Sequence, residues 1–289
     1  MDYFYSNSTL STKFDVECKD NRAGLLFWAV LEALTAILGL PANVIVLWIL
    51  LRKQTALPSS EVFIINLTVM DALFCLNAPV DLYNYYFLKN TIVYAVTDMM
   101  CNLNLIGGPL FLCCICVERY MAVVHPVTYL GFKSFTYRAV CSAVAWTITV
   151  AFSISLGLAT SELCAYVVSG YSSAIFIVMI FCSISILRVL RKSAPGRDEV
   201  HPMKKKAFQM VFTILMIVLI SFFPAVGMVP FEPYFNETTF KCYIMPVCYS
   251  FFTPSSFIQP LLYLAHVGAL SCGQFPCNGG CCTALSPTP

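Results

Sequence analysis

Charged residues are scarce in this chain. Only 11% of its 289 residues are Asp, Glu, Lys or Arg, whereas 59% are hydrophobic and the mean hydropathy is +0.78. Soluble globular domains carry about 25% charged residues, so the composition excludes that class and indicates an integral membrane protein. The net charge of +2 is too small to predict a nucleic-acid-binding surface.

Catalytic and metal-binding patterns are also lacking. The sequence has three histidines, and none stands with cysteines at the spacing of a metal site. No nucleophile is accompanied by a base and an orienting group in a recognisable arrangement. The sequence therefore predicts neither an enzyme nor a cofactor-binding protein.

Long apolar runs are abundant instead. Runs of about twenty apolar residues are long enough to cross a bilayer, and lipid requires a helical backbone. Seven such runs predict an all-α, seven-transmembrane-helix domain over residues 23–264, between an N-terminal segment, 1–22, and a tail, 265–289. The predicted spans are Ala23 to Leu51, Val62 to Phe87, Cys101 to Val123, Val140 to Ala159, Ala165 to Val189, Ala207 to Val229 and Cys242 to Leu264. A secondary transporter is the alternative, but the sequence shows no inverted repeat and has an odd number of spans.

The distribution of basic residues predicts the orientation. Twelve of the 17 lysines and arginines fall on one side of the predicted spans, and the positive-inside rule makes that side cytoplasmic. The N-terminus is then extracellular, and the first span is expected to direct insertion because the opening residues lack a signal-peptide pattern. The glycosylation sequons at Asn7 and Asn236 both fall on the predicted outer side.

Four cysteines are predicted to face the oxidising side. Cys101 begins the predicted third span and Cys164 lies in the short link between the fourth and fifth, so we expect these two to form a disulfide. Cys18 and Cys242 are a second candidate pair. Connectivity does not follow from sequence alone, and four free thiols are the alternative.

Several motifs occur in order along the spans. Glu118-Arg119-Tyr120 closes the third span, at a membrane edge where charge is costly. With it occur Asn43, the NLxxxD pattern ending at Asp71, Trp146, Phe222-Phe223-Pro224 and Gln259-Pro260-Leu261-Leu262-Tyr263. This set resembles the rhodopsin-like (class A) G-protein-coupled receptors over nearly the whole chain, and is most similar to their purinergic, chemokine and peptide branches.

The resemblance implies a plasma-membrane receptor that acts on heterotrimeric G proteins. Arg119 would face the G protein, restrained at rest by Glu118, and Tyr120 completes that motif. Pro224 would bend the sixth span, and Phe222 would be the aromatic residue that senses the ligand from below. Pro260 would bend the seventh span, and Tyr263 would swing inward on activation.

A polar group of residues is predicted in the middle of the bundle. The resemblance implies a sodium pocket made by Asn43, Asp71 and Gln259, with Gly108 at the position that usually supplies a hydroxyl. The alternative is a buried polar cluster that only locks the helices together.

The ligand is not identified by the sequence. Acidic and aromatic residues are predicted to face the outer cavity, without a basic residue to hold a phosphate, so a peptide, an amine-bearing molecule or a lipid is favoured. The candidates are Glu32, Asp81, Tyr85, Glu232 and Tyr249. Acid sensing is disfavoured because all three histidines are predicted to be cytoplasmic.

Two departures from the family pattern concern signalling. The predicted third span, from Cys101 to Arg119, measures only about 27 Å, roughly two turns less than the family pattern. The tail lacks lysine and arginine, although it has four candidate sites for palmitoylation, Cys272, Cys277, Cys281 and Cys282. A non-signalling receptor homologue, acting as a scavenger or partner subunit, therefore remains an alternative.

Overall fold

The computed structural model describes residues 22–52, 61–132, 134–158, 162–192 and 202–274, and within these ranges the secondary structure is helical, without strands. Six helices are long and apolar enough to cross a membrane: Leu26–Arg52, Glu61–Leu88, Thr91–Val124, Phe135–Leu156, Tyr166–Arg191 and Phe208–Gly227. They correspond in order to the first six predicted spans. Below, the end of the bundle that carries Arg119 is called the inner end, and the opposite end is called the outer end.

The seventh span consists of two consecutive helices, Met245–Phe252 and Ser255–Gln274. The Pro254 carbonyl accepts hydrogen bonds from the Phe257 and Ile258 amides, 3.2 and 3.0 Å long, which start the second helix. That helix continues ten residues beyond the predicted end at Leu264, because the sequence stays apolar there. With this segment, the described residues form seven helical spans, which confirms the predicted all-α fold.

The third helix is longer than predicted. It runs from Thr91 to Val124, 34 residues, or about 51 Å at 1.5 Å per residue. The Asn90 side chain caps its start by accepting hydrogen bonds from the Ile92 and Val93 amides. The predicted start at Cys101 is therefore wrong, because polar residues above the apolar run continue the helix.

This third helix is the central element of the bundle. It packs against the second, fourth, fifth and sixth helices, and Ile106, Phe111 and Ile115 are among its fully buried side chains. A Cβ at Gly107 would lie 2.5 Å from Met70 Cε and 2.8 Å from Thr149 Cγ2. A glycine at this position therefore permits the second and fourth helices to approach the third closely.

Candidate functional site

At the inner end, Glu118 is held by residues outside its own helix. Its Oε1 lies 3.5 Å from Arg138 Nε of the fourth helix, and the two side chains are only 9% and 6% exposed. The same oxygen accepts a 3.2 Å hydrogen bond from the Tyr129 hydroxyl, which lies in the short helix Pro126–Phe132. Glu118, Arg119, Tyr129 and Arg138 are called the inner cluster below.

These contacts revise the predicted role of Glu118. The sequence predicted Arg119 as its partner, and Arg119 does contribute to the electrostatic field at Glu118. The contacts of the Oε1 oxygen, however, are made by Arg138 and Tyr129. Both were missed, although a basic residue in the first turn of the fourth helix, at a membrane edge, was an available signal.

Tyr120 is directed away from this cluster. Its hydroxyl lies 3.1 Å from His125 Nε2, and its ring packs against Phe181 of the fifth helix with 5.7 Å between centroids. Tyr120 therefore links the end of the third helix to the fifth.

In the middle of the bundle, Asp71 is 1% exposed. Its Oδ1 accepts a 2.9 Å hydrogen bond from Asn104 Nδ2 of the third helix. Asn104 precedes Gly108 by one turn on the same helix face, so the polar partner of Asp71 lies one turn above the predicted position. The spacing of four residues was the signal that could have identified it.

Asn43 holds the first helix to the seventh. Its Nδ2 donates to the Gly39 and Ser256 carbonyls, at 2.9 Å each. Gln259 is buried at 9% exposure, yet within the described ranges neither its amide nitrogen nor its oxygen has a hydrogen-bond partner. The three predicted members of the polar group are thus all buried, but no hydrogen bond to Gln259 from Asn43 or Asp71 occurs.

Unpaired oxygens accompany Asp71. Among the described residues, Asn43 Oδ1 and Asn104 Oδ1 are buried without a hydrogen-bond partner, and the Ser256 side chain lies beside Asp71. Oxygen ligands beside a carboxylate are the donor set that a hard cation prefers, so the residues present fit a sodium ion. Asn43, Asp71, Asn104, Ser256 and Gln259 are called the central cluster below.

Pro224 produces the predicted irregularity of the sixth helix. Val218–Phe222 forms a π-helical turn, and the Phe223 amide donates to the Val218 carbonyl across five residues. Proline has no amide hydrogen, and π-turns mark places where a helix is bent or adjustable. Phe222, 2% exposed, ends this turn.

The Phe222 ring contacts both the third and the seventh helix. A Cβ at Gly108 would lie 3.0 Å from Phe222 Cζ, so the ring fills the space that a side chain on Gly108 would need. Its other face meets Phe252, whose ring centroid is 5.4 Å away, and Tyr249 lies 6.4 Å from Phe252. An aromatic series therefore connects Tyr249 to Phe222.

Lower in the seventh span, Pro260 lies inside the helix Ser255–Gln274 and Tyr263 is half-buried. Ser183 stands where the family places a tyrosine partner for Tyr263. The Ser183 hydroxyl donates to the Met179 carbonyl of its own helix at 2.9 Å. The role of Tyr263 stays a prediction.

The predicted ligand residues differ in burial. Glu32 is 8% exposed, and Asp81 is half-buried and accepts a 2.8 Å hydrogen bond from the Thr97 hydroxyl. The Tyr85 ring packs against Trp28, 5.4 Å between centroids. Glu232 is exposed in the connection that follows the sixth helix. Thr97 was not predicted because its helix was expected to start later.

Cys101 does not lie at the top of the third helix, as the predicted disulfide required. It lies ten residues inside that helix and carries a free thiol. The side chains of Cys164 and Cys242, and the whole of Cys18, lie outside the described residues, so neither pairing is tested. Asn236 is exposed, whereas Asn7 and the side chains of the four tail cysteines also lie outside the described part.

Comparison with known proteins shows which receptors the chain resembles. Residues 42–165 match the model of the 7 transmembrane receptor (rhodopsin family). Human chemokine XC receptor 1 is 26% identical over 211 residues, which are 68% of this chain and 62% of that protein. A chicken purinoceptor is 29% identical over 226 residues, 65% of this chain and 66% of that protein. Bovine proteinase-activated receptor 3 is 34% identical over 116 residues, 38% of this chain and 29% of that protein.

The matched stretches thus span less than two thirds of the length of each of these three relatives. The matching family model begins inside the first helix, at residue 42, and covers the second to fourth helices and the motifs from Asn43 to Trp146. Together with the helical spans, these matches make the protein a multi-pass protein of the plasma membrane. The matched part of the chain, residues 42–165, is similar to the rhodopsin family of seven-transmembrane receptors.

Proposed function

We propose that the chain is a receptor that transmits the binding of an extracellular ligand to a heterotrimeric G protein through an outward movement of the sixth helix. The observation that carries this proposal is the inner cluster. A buried carboxylate beside Arg119 is held by the fourth helix and by Tyr129, so a movement of either element changes the field that acts on Arg119. The proposed activity is binding and conformational change, not catalysis.

The sixth helix supplies the movable element. Its π-turn before Pro224 leaves a flexible point, and the Phe222 ring contacts the third helix at Gly108 and the seventh at Phe252. When the sixth helix rotates at this point, Phe222 must leave Gly108. The packing of one aromatic ring therefore favours one of two helix positions, as a ligand-controlled equilibrium requires.

The central cluster would stabilise the resting arrangement. Asp71, Asn104 and Ser256 are the residues that would hold a sodium ion, which would compensate the buried charge of Asp71. Asn43 joins the first and seventh helices beside them. A polar cluster that only locks the helices is the alternative, and it predicts no effect of sodium on ligand affinity.

Substitution of Arg119 tests the proposal. We expect Arg119→Ala to abolish ligand-independent or serum-stimulated G-protein activation, because no other arginine of the third helix can engage the G protein, while surface expression persists. Arg52→Ala is the matched control: Arg52 also lies at the inner end, stacked 4.2 Å from the Trp48 ring centroid, and its removal should leave activation intact.

A non-signalling homologue is the competing interpretation. It drew on the predicted short third helix, and the 34-residue length of that helix removes this support. Normal surface expression with G-protein activation that is identical in the Arg119→Ala variant and the unmodified receptor would establish the non-signalling interpretation instead.

A further inference from the structure

The outer half of the bundle holds a carboxylate without a partner. Glu32 of the first helix is 8% exposed, and within the described ranges it makes no hydrogen bond or ion pair. An isolated charge buried in a membrane protein costs several kcal/mol and marks a functional site by default. Because the second and seventh helices pack against the first, this charge lies inside the bundle and not towards lipid.

Two further carboxylates lie nearby. Asp81 of the second helix acts electrostatically on both Glu32 and Asp98 of the third. Asp81 accepts a 2.8 Å hydrogen bond from the Thr97 hydroxyl. Asp98 accepts a 3.1 Å hydrogen bond from the Asn102 side-chain amide. In the described part of the chain, none of the three pairs with a lysine or an arginine. Glu32, Asp81 and Asp98 are called the outer acidic cluster below.

Aromatic and apolar groups complete the surroundings. Cys101 lies close enough to Glu32, Asp81 and Asp98 to interact electrostatically with all three. Tyr94 interacts in the same way with Asp81 and Asp98. Tyr249 of the seventh helix is near Cys101 and Asp98. Three carboxyl groups therefore lie near two tyrosines, the combination that binds a cation through both ion pairing and ring faces.

We propose that the outer acidic cluster binds an organic cation, a primary amine or a guanidinium, whose charge lies between Glu32 and Asp81. Such a ligand supplies the missing partner of Glu32 and relieves the repulsion between the carboxylates. An anionic ligand is excluded by the same charges. The inference deepens the proposed function by naming the ligand class, and rests on it only where signalling is the readout.

The cluster is connected to the movable part of the sixth helix. Tyr249 packs against Phe252, and Phe252 against Phe222 beside the Pro224 bend. A cation that attracts the Tyr249 ring changes the packing of Phe252. Binding at the outer acidic cluster thereby affects the position of Phe222 through the contacts of Tyr249 with Phe252 and of Phe252 with Phe222.

Ligand binding to the purified full-length receptor tests the proposal. The melting temperature is measured with tyramine or agmatine up to about 10 mM, a range that detects millimolar affinity. Tyrosol, which has a hydroxyl in place of the tyramine amine, and potassium chloride at equal ionic strength are the ligand controls; sodium is left out because the central cluster would bind it. We expect the two amines to raise the melting temperature and the two controls to leave it unchanged.

Variants locate the binding. Removing one partner of a buried charge pair weakens binding by roughly 30-fold or more, so Glu32→Gln should lose the amine effect to that extent. Tyr234→Phe changes an exposed side chain at the same end and should bind as the unmodified receptor does. Glu32→Lys places a cation in the cluster from the chain itself and should abolish amine binding.

Folding and binding are separated by the unliganded melting temperature. Since Glu32 has no partner to lose, Glu32→Gln should melt at or above the temperature of the unmodified receptor. Equal effects of tyramine and tyrosol, reproduction of the effect by potassium chloride, undiminished binding in Glu32→Gln, or no response to either amine would each overturn the inference.

The two proposals fail in different ways. Amine binding that depends on Glu32, in a receptor whose G-protein activation ignores Arg119→Ala, would leave the cation site standing and reject the signalling function. Activation that depends on Arg119, in a receptor that binds neither amine, would reject the cation site alone.

Discussion

The ion pair between Glu118 and Arg138 offers the sharpest energetic test. Both side chains are at least nine-tenths buried, and their closest nitrogen and oxygen are 3.5 Å apart. Arg138→Gln removes the cation and leaves Glu118 with the Tyr129 hydroxyl as its remaining hydrogen-bond donor at Oε1. We expect the variant to be destabilised because a buried carboxylate loses its closest compensating charge.

The size of the effect follows from the separation. Two unit charges 3.5 Å apart interact by about 5 kcal/mol at an effective dielectric constant of about 20. Removing one partner of a buried pair costs about 3–5 kcal/mol, because the other charge stays buried. At about 2 °C per kcal/mol, the melting temperature should fall by at least about 6 °C.

The double variant distinguishes pairing from burial. Glu118→Gln with Arg138→Gln removes both charges, so most of the loss should be recovered, as is common when a buried pair is replaced by neutral residues. The melting temperatures of the purified receptor and the three variants form a double-mutant cycle. An Arg138→Gln variant that melts with the unmodified receptor, or a double variant that shows the sum of the single losses, would refute the reasoning.

Two further substitutions test the middle of the bundle. Gly108→Ala places a Cβ 3.0 Å from Phe222 Cζ, so the ring must shift by a few tenths of an ångström. Basal G-protein activation should therefore rise. Gly170→Ala is the control, because no atom lies within 4 Å of the added Cβ, and it should leave basal activation unchanged. Asn104→Leu removes the 2.9 Å hydrogen bond to Asp71 and should lower the free energy of unfolding by about 1.5–3 kcal/mol. Adding Asp71→Asn should restore part of that loss, and additive melting-temperature losses would contradict the assigned contact.

The number and order of the spans could be predicted because each depends on one local property. A run of about twenty apolar residues must become a helix in lipid, whatever its neighbours are. The positions of Asp71 and Phe222 inside the bundle were also predictable from local properties. A carboxylate in a membrane span must avoid lipid, and Phe222 lies close to Pro224 in a recognisable motif. Composition and short motifs were sufficient for the fold class and the family.

Partners across helices could not be predicted in this way. Arg138 is 20 residues from Glu118 along the chain and Asn104 is 33 residues from Asp71. Which side chains meet depends on helix rotation, and rotation is determined by packing such as the close approach at Gly107. The sequence therefore predicted that Glu118 and Asp71 need partners, but it did not identify Arg138 or Asn104.

Among the differences between the predicted and the observed structure, the start of the third helix changes the outer end of the bundle most. The sequence prediction starts the span at Cys101, just beyond the charged Asp98. The helix nevertheless continues outward to Thr91, since helical hydrogen bonds do not require a lipid environment. Cys101 consequently does not lie at the top of the helix. It lies one turn further into the bundle than Asp98, where Glu32, Asp81 and Asp98 all act on it. The same ten residues that restore the family's helix length also bring Asp98 beside the other two carboxylates, so the outer acidic cluster exists only because the helix is long.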